Sequence, residues 1–156
     1  MKTRLATSDD LQDLFEWRND RHSQDMSFHQ GPVCPAEHKS WFERSLLNPA
    51  RLLVIGIDGP RKAGVARYDL AGRTAQVSIN LNPACRGRGL SHRLLIASEA
   101  LIPRHWTLEA LDALIKTENV ASFRAFERAG YLRQEACRKS ASQAFVYRKA
   151  FLRADV

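Results

Sequence analysis

Between residues 74 and 102 the apolar period changes from two to nearly four, and the change falls across Asn80-Leu81-Asn82-Pro83-Ala84-Cys85-Arg86-Gly87-Arg88-Gly89-Leu90-Ser91. Before it, Val77, Ile79 and Leu81 alternate with Gln76, Ser78 and Asn80, the pattern of a half-buried strand. Pro83 has no N–H for a ladder, so the strand stops near Asn82. Leu90, Leu94 and Leu95 then recur at helical spacing. Arg86 to Gly89 must therefore turn tightly from strand to helix, and glycine permits both positive φ and close backbone approach. In such a turn, free N–H groups and the positive end of the helix dipole converge on one point, as they do where a chain holds phosphate. A Walker loop would need Gly-Lys-Ser/Thr at its end, which is absent. A dinucleotide fingerprint would need glycine at His92.

An anionic ligand also suits the charge. The net charge is +7, with 18 Arg and 6 Lys. No run of five basic residues occurs, and basic residues do not interleave with aromatics, so a nucleic-acid surface is not expected. No apolar run approaches the roughly 18 residues of a membrane helix, and Met1 to Leu5 shows no apolar signal region. The 3 cysteines, Cys34, Cys85 and Cys137, are odd in number and widely spaced. That spacing argues against a disulfide frame or a metal site and for a reducing, cytoplasmic setting. A chain of 156 residues is expected to be one domain, 1–156, with its own core.

In chain order, Lys2 to Ala6 reads as a strand. Thr7 or Ser8 caps a helix whose apolar face is Leu11, Leu14 and Phe15. His22 to Pro32 reads as irregular. Pro35 opens a second helix, with Trp41, Phe42 and Leu46 inward. Arg51 to Ile57, Lys62 to Leu70 and Thr74 to Asn82 are strands joined by short turns, hence antiparallel. The central helix spans Leu90 to Ile102, ended by Pro103. Leu108 to Ile115 is a strand, Asn119 caps a helix with Phe123 and Phe126 inward, and Tyr131 to Lys139 and Gln143 to Phe151 close the chain. The order β-α-α-β-β-β-α-β-α-β-β is α+β, with a mixed, mainly antiparallel sheet flanked by helices.

This order, with Arg86-x-x-Gly89-x-Ser91 at its centre, resembles the GNAT superfamily of N-acetyltransferases, whose pyrophosphate loop reads Arg-x-x-Gly-x-Gly/Ala. A second motif of that family, Asn then a small residue, Tyr, Gly and an aromatic, is matched by Asn119, Ser122, Phe126, Gly130 and Tyr131. The resemblance implies acetyl-CoA as co-substrate, lying where the sheet splays beyond Asn82. The Leu81 N–H would polarise the acetyl carbonyl, a donor worth roughly 3–4 kcal/mol in studied enzymes. The amides of Arg86, Gly87, Arg88, Gly89, Leu90 and Ser91 would hold the pyrophosphate, and Asn119, Ser122 and Phe126 would also face the cofactor. The family's usual proton donor to the leaving thiolate is Tyr where this chain has Phe126. Either another group, such as Tyr68 or Tyr147, takes that role, or the thiolate leaves as such, which a thiol pKa of about 8.5 makes tolerable.

The strand face Gln76-Ser78-Asn80 carries no carboxylate, so Ser78 positioning a water, or His38, is the candidate for removing the amine proton. The N-terminal third, Trp17-Arg18-Asn19-Asp20 with Glu37-His38 and Trp41-Phe42, is similar to GNAT enzymes that acetylate nucleotide-linked amino sugars of the pseudaminic-acid pathway. Ile115 to Asn119 and Ala125 to Tyr131 are similar to the same enzymes. That resemblance implies a nucleotide-linked 4-amino-6-deoxy sugar as acceptor, with Trp17, Asn19, Arg21 and His38 at the substrate. Two rivals stand beside it: a ribosomal-protein type N-terminal acetyltransferase and a non-catalytic acyl-CoA-binding module. No metal is expected, and a homodimer is the protein assembly left open.

Overall fold

The computed structural model describes residues 1–139 and 142–151. One sheet of 7 strands runs through it in the order β1-β2-β3-β4-β5-β7-β6. The strands are β1 (Lys2–Leu5), β2 (Arg51–Asp58), β3 (Arg61–Ala71), β4 (Thr74–Leu81), β5 (Ala110–Lys116), β6 (Leu132–Lys139) and β7 (Ser142–Ala150). Every pairing is antiparallel except β4 with β5. The helices are α1 (Leu11–Asn19), α2 (Arg21–Met26), α3 (Pro35–Leu47), α4 (Leu90–Glu99) and α5 (Val120–Arg128).

Alternation along the strands feeds two cores. Tyr68, Val77, Leu111 and Ala113 join Leu94 and Leu95 of α4 and Phe126 of α5 on one side. Leu53, Ile55 and Val65 point the other way, against Leu14 and Trp17 of α1 and Phe42 of α3. An ion cluster fixes α1 to the sheet: Asp10 accepts from both Arg4 guanidinium nitrogens and from the Thr7 N–H, and Lys62 lies 2.8 Å from it. Asp10 is wholly buried; burial alone would raise its pKa, but the bonds from Arg4 and Lys62 outweigh it and hold the carboxyl well below the usual range.

The order of elements along the chain expected from sequence is the one found, with three local differences. Leu46, expected to face inward from α3, is exposed. The segment read as irregular from His22 contains α2. Polar except for Met26 and without a buried residue, it shows no apolar period, and it is capped by Asp20, whose carboxylate accepts from the Ser23 N–H. The central helix stops at Glu99 rather than Ile102, and Pro103 sits inside a following 3-10 turn, Ile102–Arg104.

Candidate active site

β4 and β5 pair only at Thr74↔Ala110, Ala75↔Leu111 and Gln76↔Asp112. β5 stays paired with β7 through Lys116, and β4 with β3 through Leu81, so the two strands part beyond Gln76 and leave a wedge. The Asn82 N–H donates to the Ala63 carbonyl on β3 at 2.9 Å. Successive residues of a strand turn their amides to opposite edges, so the Leu81 N–H faces the wedge. A close approach fixes that strand end: a Cβ on Gly64 would lie 2.6 Å from the Asn80 carbonyl oxygen.

At the end of β4 the Asn82 side chain accepts from the Ala84 N–H and donates to the Lys62 carbonyl, pinning the turn. Gly87 and Gly89 take φ of 73° and 65°, and nothing lies within 4 Å of where their side chains would be. Gly89 is the N-cap of α4 and no side chain caps that helix. The first N–H groups of a helix have no internal partner, so here they are free to meet a ligand. Cations surround them. Arg88 and Arg93 reach Asp58 at 3.3 and 3.5 Å. Burial first, then the charges of Arg128 and Arg93, lower the pKa of His92.

α2 bridges the mouth of the wedge. On one lip, Ser23 Oγ donates to Asn80 Oδ1 at 2.8 Å. On the other, the buried Lys116 donates to the Asp25 carbonyl at 2.9 Å. Arg86 ties the same helix to the glycine loop, donating to Ser23 Oγ and pairing with Asp20 at 2.7 Å. The hydrogen bond from Arg86 lowers the Asp20 pKa. Behind α2, β4 presents Gln76 and Ser78, both exposed. A depression of about 310 Å³ at Gln76 is lined also by Thr74, Asp112 and Leu114.

The expected site residues divide into two sets. Leu81, Ser78 and the loop Arg86 to Ser91 meet at the wedge. Asn119 caps α5, its side chain accepting from the Ser122 N–H at 3.3 Å, so both residues serve the cap. Phe126 is a core residue: it is 2% exposed and its edge meets Tyr131 with ring centroids 4.9 Å apart. Tyr68 and Tyr147 have no wet end. Tyr68 bonds Ser98 at 2.6 Å under α4, and Tyr147 donates to Glu127 at 2.9 Å. Burial, then Glu127, pushes the Tyr147 phenol up to about 12.

The acceptor residues expected from sequence do not form one group. Trp17 is core. Asn19 is a staple, donating to the Val33 carbonyl and accepting from the Val33 N–H, both at 2.8 Å. Arg21 is exposed at the start of α2. His38 is 4% exposed, packed among Phe15, Trp41 and Phe42. Burial lowers its pKa, partly opposed by a bond to the Leu11 carbonyl. A ring so enclosed cannot take a proton from an amine on β4, so the reading of His38 as base fails.

Three residues that the sequence reading left aside matter here: Gly64, Arg67 and Lys116. Arg67 had a signal, since Ala63, Val65 and Arg67 share one face of β3 and only the last is polar. Among the described residues no group of acidic, His and Cys side chains is arranged to hold a metal ion.

The family model of the acetyltransferase (GNAT) domain matches residues 2–132. The Bacillus subtilis (strain 168) protein named "Putative phosphinothricin acetyltransferase YwnH" is 28% identical over 137 residues, covering 84% of this chain and 83% of its own. The aminoglycoside acetyltransferase AAC(6')-Ib, solved with coenzyme A and kanamycin, superposes with a TM-score of 0.82 at 19% identity, covering 96% of this chain and 94% of its own. Spermidine N-acetyltransferase from Vibrio cholerae, solved with CoA and spermine, gives 0.82 at 14% identity with the same coverage.

Proposed function

The chain belongs to the GNAT family of acetyltransferases, and we propose that it moves the acetyl group of acetyl-CoA to the primary amine of a small molecule. The observation that carries this reading is the wedge itself, with the Leu81 amide turned into it and an uncapped helix terminus at its end. The loop amides from Gly87 to Ser91 meet the pyrophosphate, and the free edge of β4 accepts the pantetheine as an added strand. The Leu81 N–H steadies the carbonyl oxygen as the amine nitrogen bonds to the acetyl carbon and the carbon–sulfur bond breaks. Ser78 holds the water that takes the amine proton. Sulfur leaves as thiolate, since Phe126 has no proton to give.

The acceptor proposed from the N-terminal resemblance is a nucleotide-linked 4-amino-6-deoxy sugar. Arg21 supports it: exposed at the lip of the wedge, it has no ion pair among the described residues. A guanidinium suits a diphosphate because its fork binds two oxygens. A second reading, a compact amino acid, is favoured by the likeness to the relative named for phosphinothricin. The setting is taken to be cytoplasmic; among the described residues no helix is long and apolar enough to cross a membrane.

Thiol release from acetyl-CoA, measured against UDP-, dTDP- and CDP-linked amino sugars, amino acids, peptides and polyamines, tests the reading. Turnover with a small amine supports it. Turnover with peptide N-termini alone would replace it with the protein-acetyltransferase reading, and binding without turnover on any amine would leave an acyl-CoA-binding module.

A further inference from the structure

Buried side-chain nitrogens without a hydrogen-bond partner are rare in folded proteins. Among the described residues there are three: Arg18 Nη1, His38 Nε2 and Arg67 Nε. They belong to one neighbourhood. Arg18 lies within electrostatic reach of the other two: its charge bears on His38, and that of Arg67 bears on it. Arg18 spends one nitrogen on the His29 carbonyl at 2.6 Å. Arg67 lies 3.0 Å from Asp69, without the geometry of a hydrogen bond, and Arg51 claims the other oxygen of that carboxylate. Arg51 and Arg67 thus share one carboxylate, and Arg18 has no ion pair among the described residues. His38 Nε2 has no hydrogen-bond partner, and burial first, then the Arg18 charge, lowers the pKa of its ring.

The place of this cluster gives it meaning. Arg67 is directly opposite Ser78 in the β3–β4 register. Opposite residues of an antiparallel pair point to the same face, with Cβ atoms about 5 Å apart. Ser78 is three residues before Leu81, about 10 Å along the strand. A molecule lying on the polar face of β4, with its amine at the Leu81 end, has its far end beside Arg67 and within reach of the Arg18 charge.

Resting on the acetyl-transfer reading, we propose that Arg18 and Arg67 form a subsite for an oxyanion carried by the acceptor, so that the substrate is an amine that is also an acid. The oxyanion supplies the acceptor that Arg18 Nη1 lacks and neutralises the surplus charge. It also draws a proton onto His38 at a distance, because a nearby negative charge favours the imidazolium. The same site is hostile to polyamines, whose only charges are positive.

The oxyanion has two sources, the carboxylate of an amino acid or the diphosphate of a nucleotide sugar, and matched pairs separate them. Amino acids are compared with their carboxamides, and a UDP-linked amino sugar with the free sugar, by thiol release from acetyl-CoA. In the wild type the charged member of one pair is preferred by about tenfold to hundredfold in kcat/KM, mostly through KM. Arg18→Gln and Arg67→Gln each bring that ratio close to one, while Arg18→Lys, which keeps the charge, retains part of it. Equal use of charged and neutral members by the wild type, or an undiminished ratio in both Gln variants, overturns the subsite while leaving acetyl transfer in place. A second measurement needs no turnover. Millimolar acetate raises the His38 pKa read by imidazole NMR in the wild type and not in Arg18→Gln, and acetamide does nothing in either. If no amine is acetylated but acetate has this effect, the subsite stands and the transfer reading falls. If acetate leaves His38 unmoved, the subsite is overturned.

Discussion

The loop that opens α4 and the side chains proposed to meet the acceptor are made of different material. The loop is backbone: two left-handed glycines, an uncapped helix end and one strand amide. The surface is side chain: Arg18 from α1, Ser23 from α2, Arg67 from β3, Ser78 and Asn80 from β4 and Lys116 from β5. A backbone site tolerates many side chains, provided that glycine stays where φ is positive and where space is needed. A side-chain site is rewritten by single substitutions. One half is therefore suited to a fixed co-substrate and the other to a changing acceptor.

Breaking the backbone half should have the largest effect. Gly89→Glu puts a side chain at positive φ and a negative charge into the phosphate position. Acetyl-CoA should no longer raise Tm, and calorimetric affinity should fall by more than about a hundredfold. An unchanged shift would place acetyl-CoA elsewhere. Gly64→Ala is next, since the new methyl must displace the Asn80 carbonyl and with it the Leu81 amide. A cost of about 1–3 kcal/mol is expected in denaturant unfolding, together with a fall in kcat. Lost stability with full kcat would show that the amide position does not govern the rate.

The two halves also differ in how far the sequence revealed them. Strand, proline, glycines and helix lie within residues 76–95, so local rules sufficed to draw the turn. The proposed acceptor surface is assembled by β-register and helix packing across residues 18–116, and no short window contains it. The family resemblance puts Asn19, Trp17 and His38 at the site, but each is spent on structure: a loop staple, a core ring and a buried imidazole. Arg67 could be seen as an odd polar residue on an apolar face, yet its neighbours could not. α2 was invisible because a polar helix, held by an Asp cap and tertiary bonds, leaves no apolar period.

On the side-chain half the effects should be smaller and selective. If the acceptor carries a nucleotide diphosphate, Arg21→Ala should raise KM about tenfold to hundredfold with little change in kcat, because a remote anion is held alike in ground and transition states. Equal use of the nucleotide sugar by variant and wild type would make Arg21 a plain surface residue. Phe126→Tyr sharpens the boundary of the core. A hydroxyl added to a ring this buried lacks a partner, so a loss of about 1–3 kcal/mol without a gain in kcat is expected. A raised kcat would return position 126 to the thiolate.

The weakest effect concerns pH. His38 has a folded pKa below its usual 6.5, through burial first and the Arg18 charge after it. The unfolded chain therefore takes up the proton first, so stability is full above about pH 6.5 and declines as pH falls below it. His38→Gln should flatten the Tm profile between pH 7 and 5 without erasing it, since His92 is shifted in the same direction. A wild-type profile that is flat over this range would deny the buried neutral imidazole.

The central claim is that a backbone amide of β4 receives the acetyl carbonyl while the loop before α4 holds the phosphates. Amide NMR of the labelled protein with acetyl-CoA and with CoA tests it directly. Gly87 to Ser91 should shift alike with both ligands, and the Leu81 amide should move strongly with acetyl-CoA and much less with CoA. A Leu81 resonance that answers the two ligands equally, or moves no more than Thr3 in β1, would contradict the account.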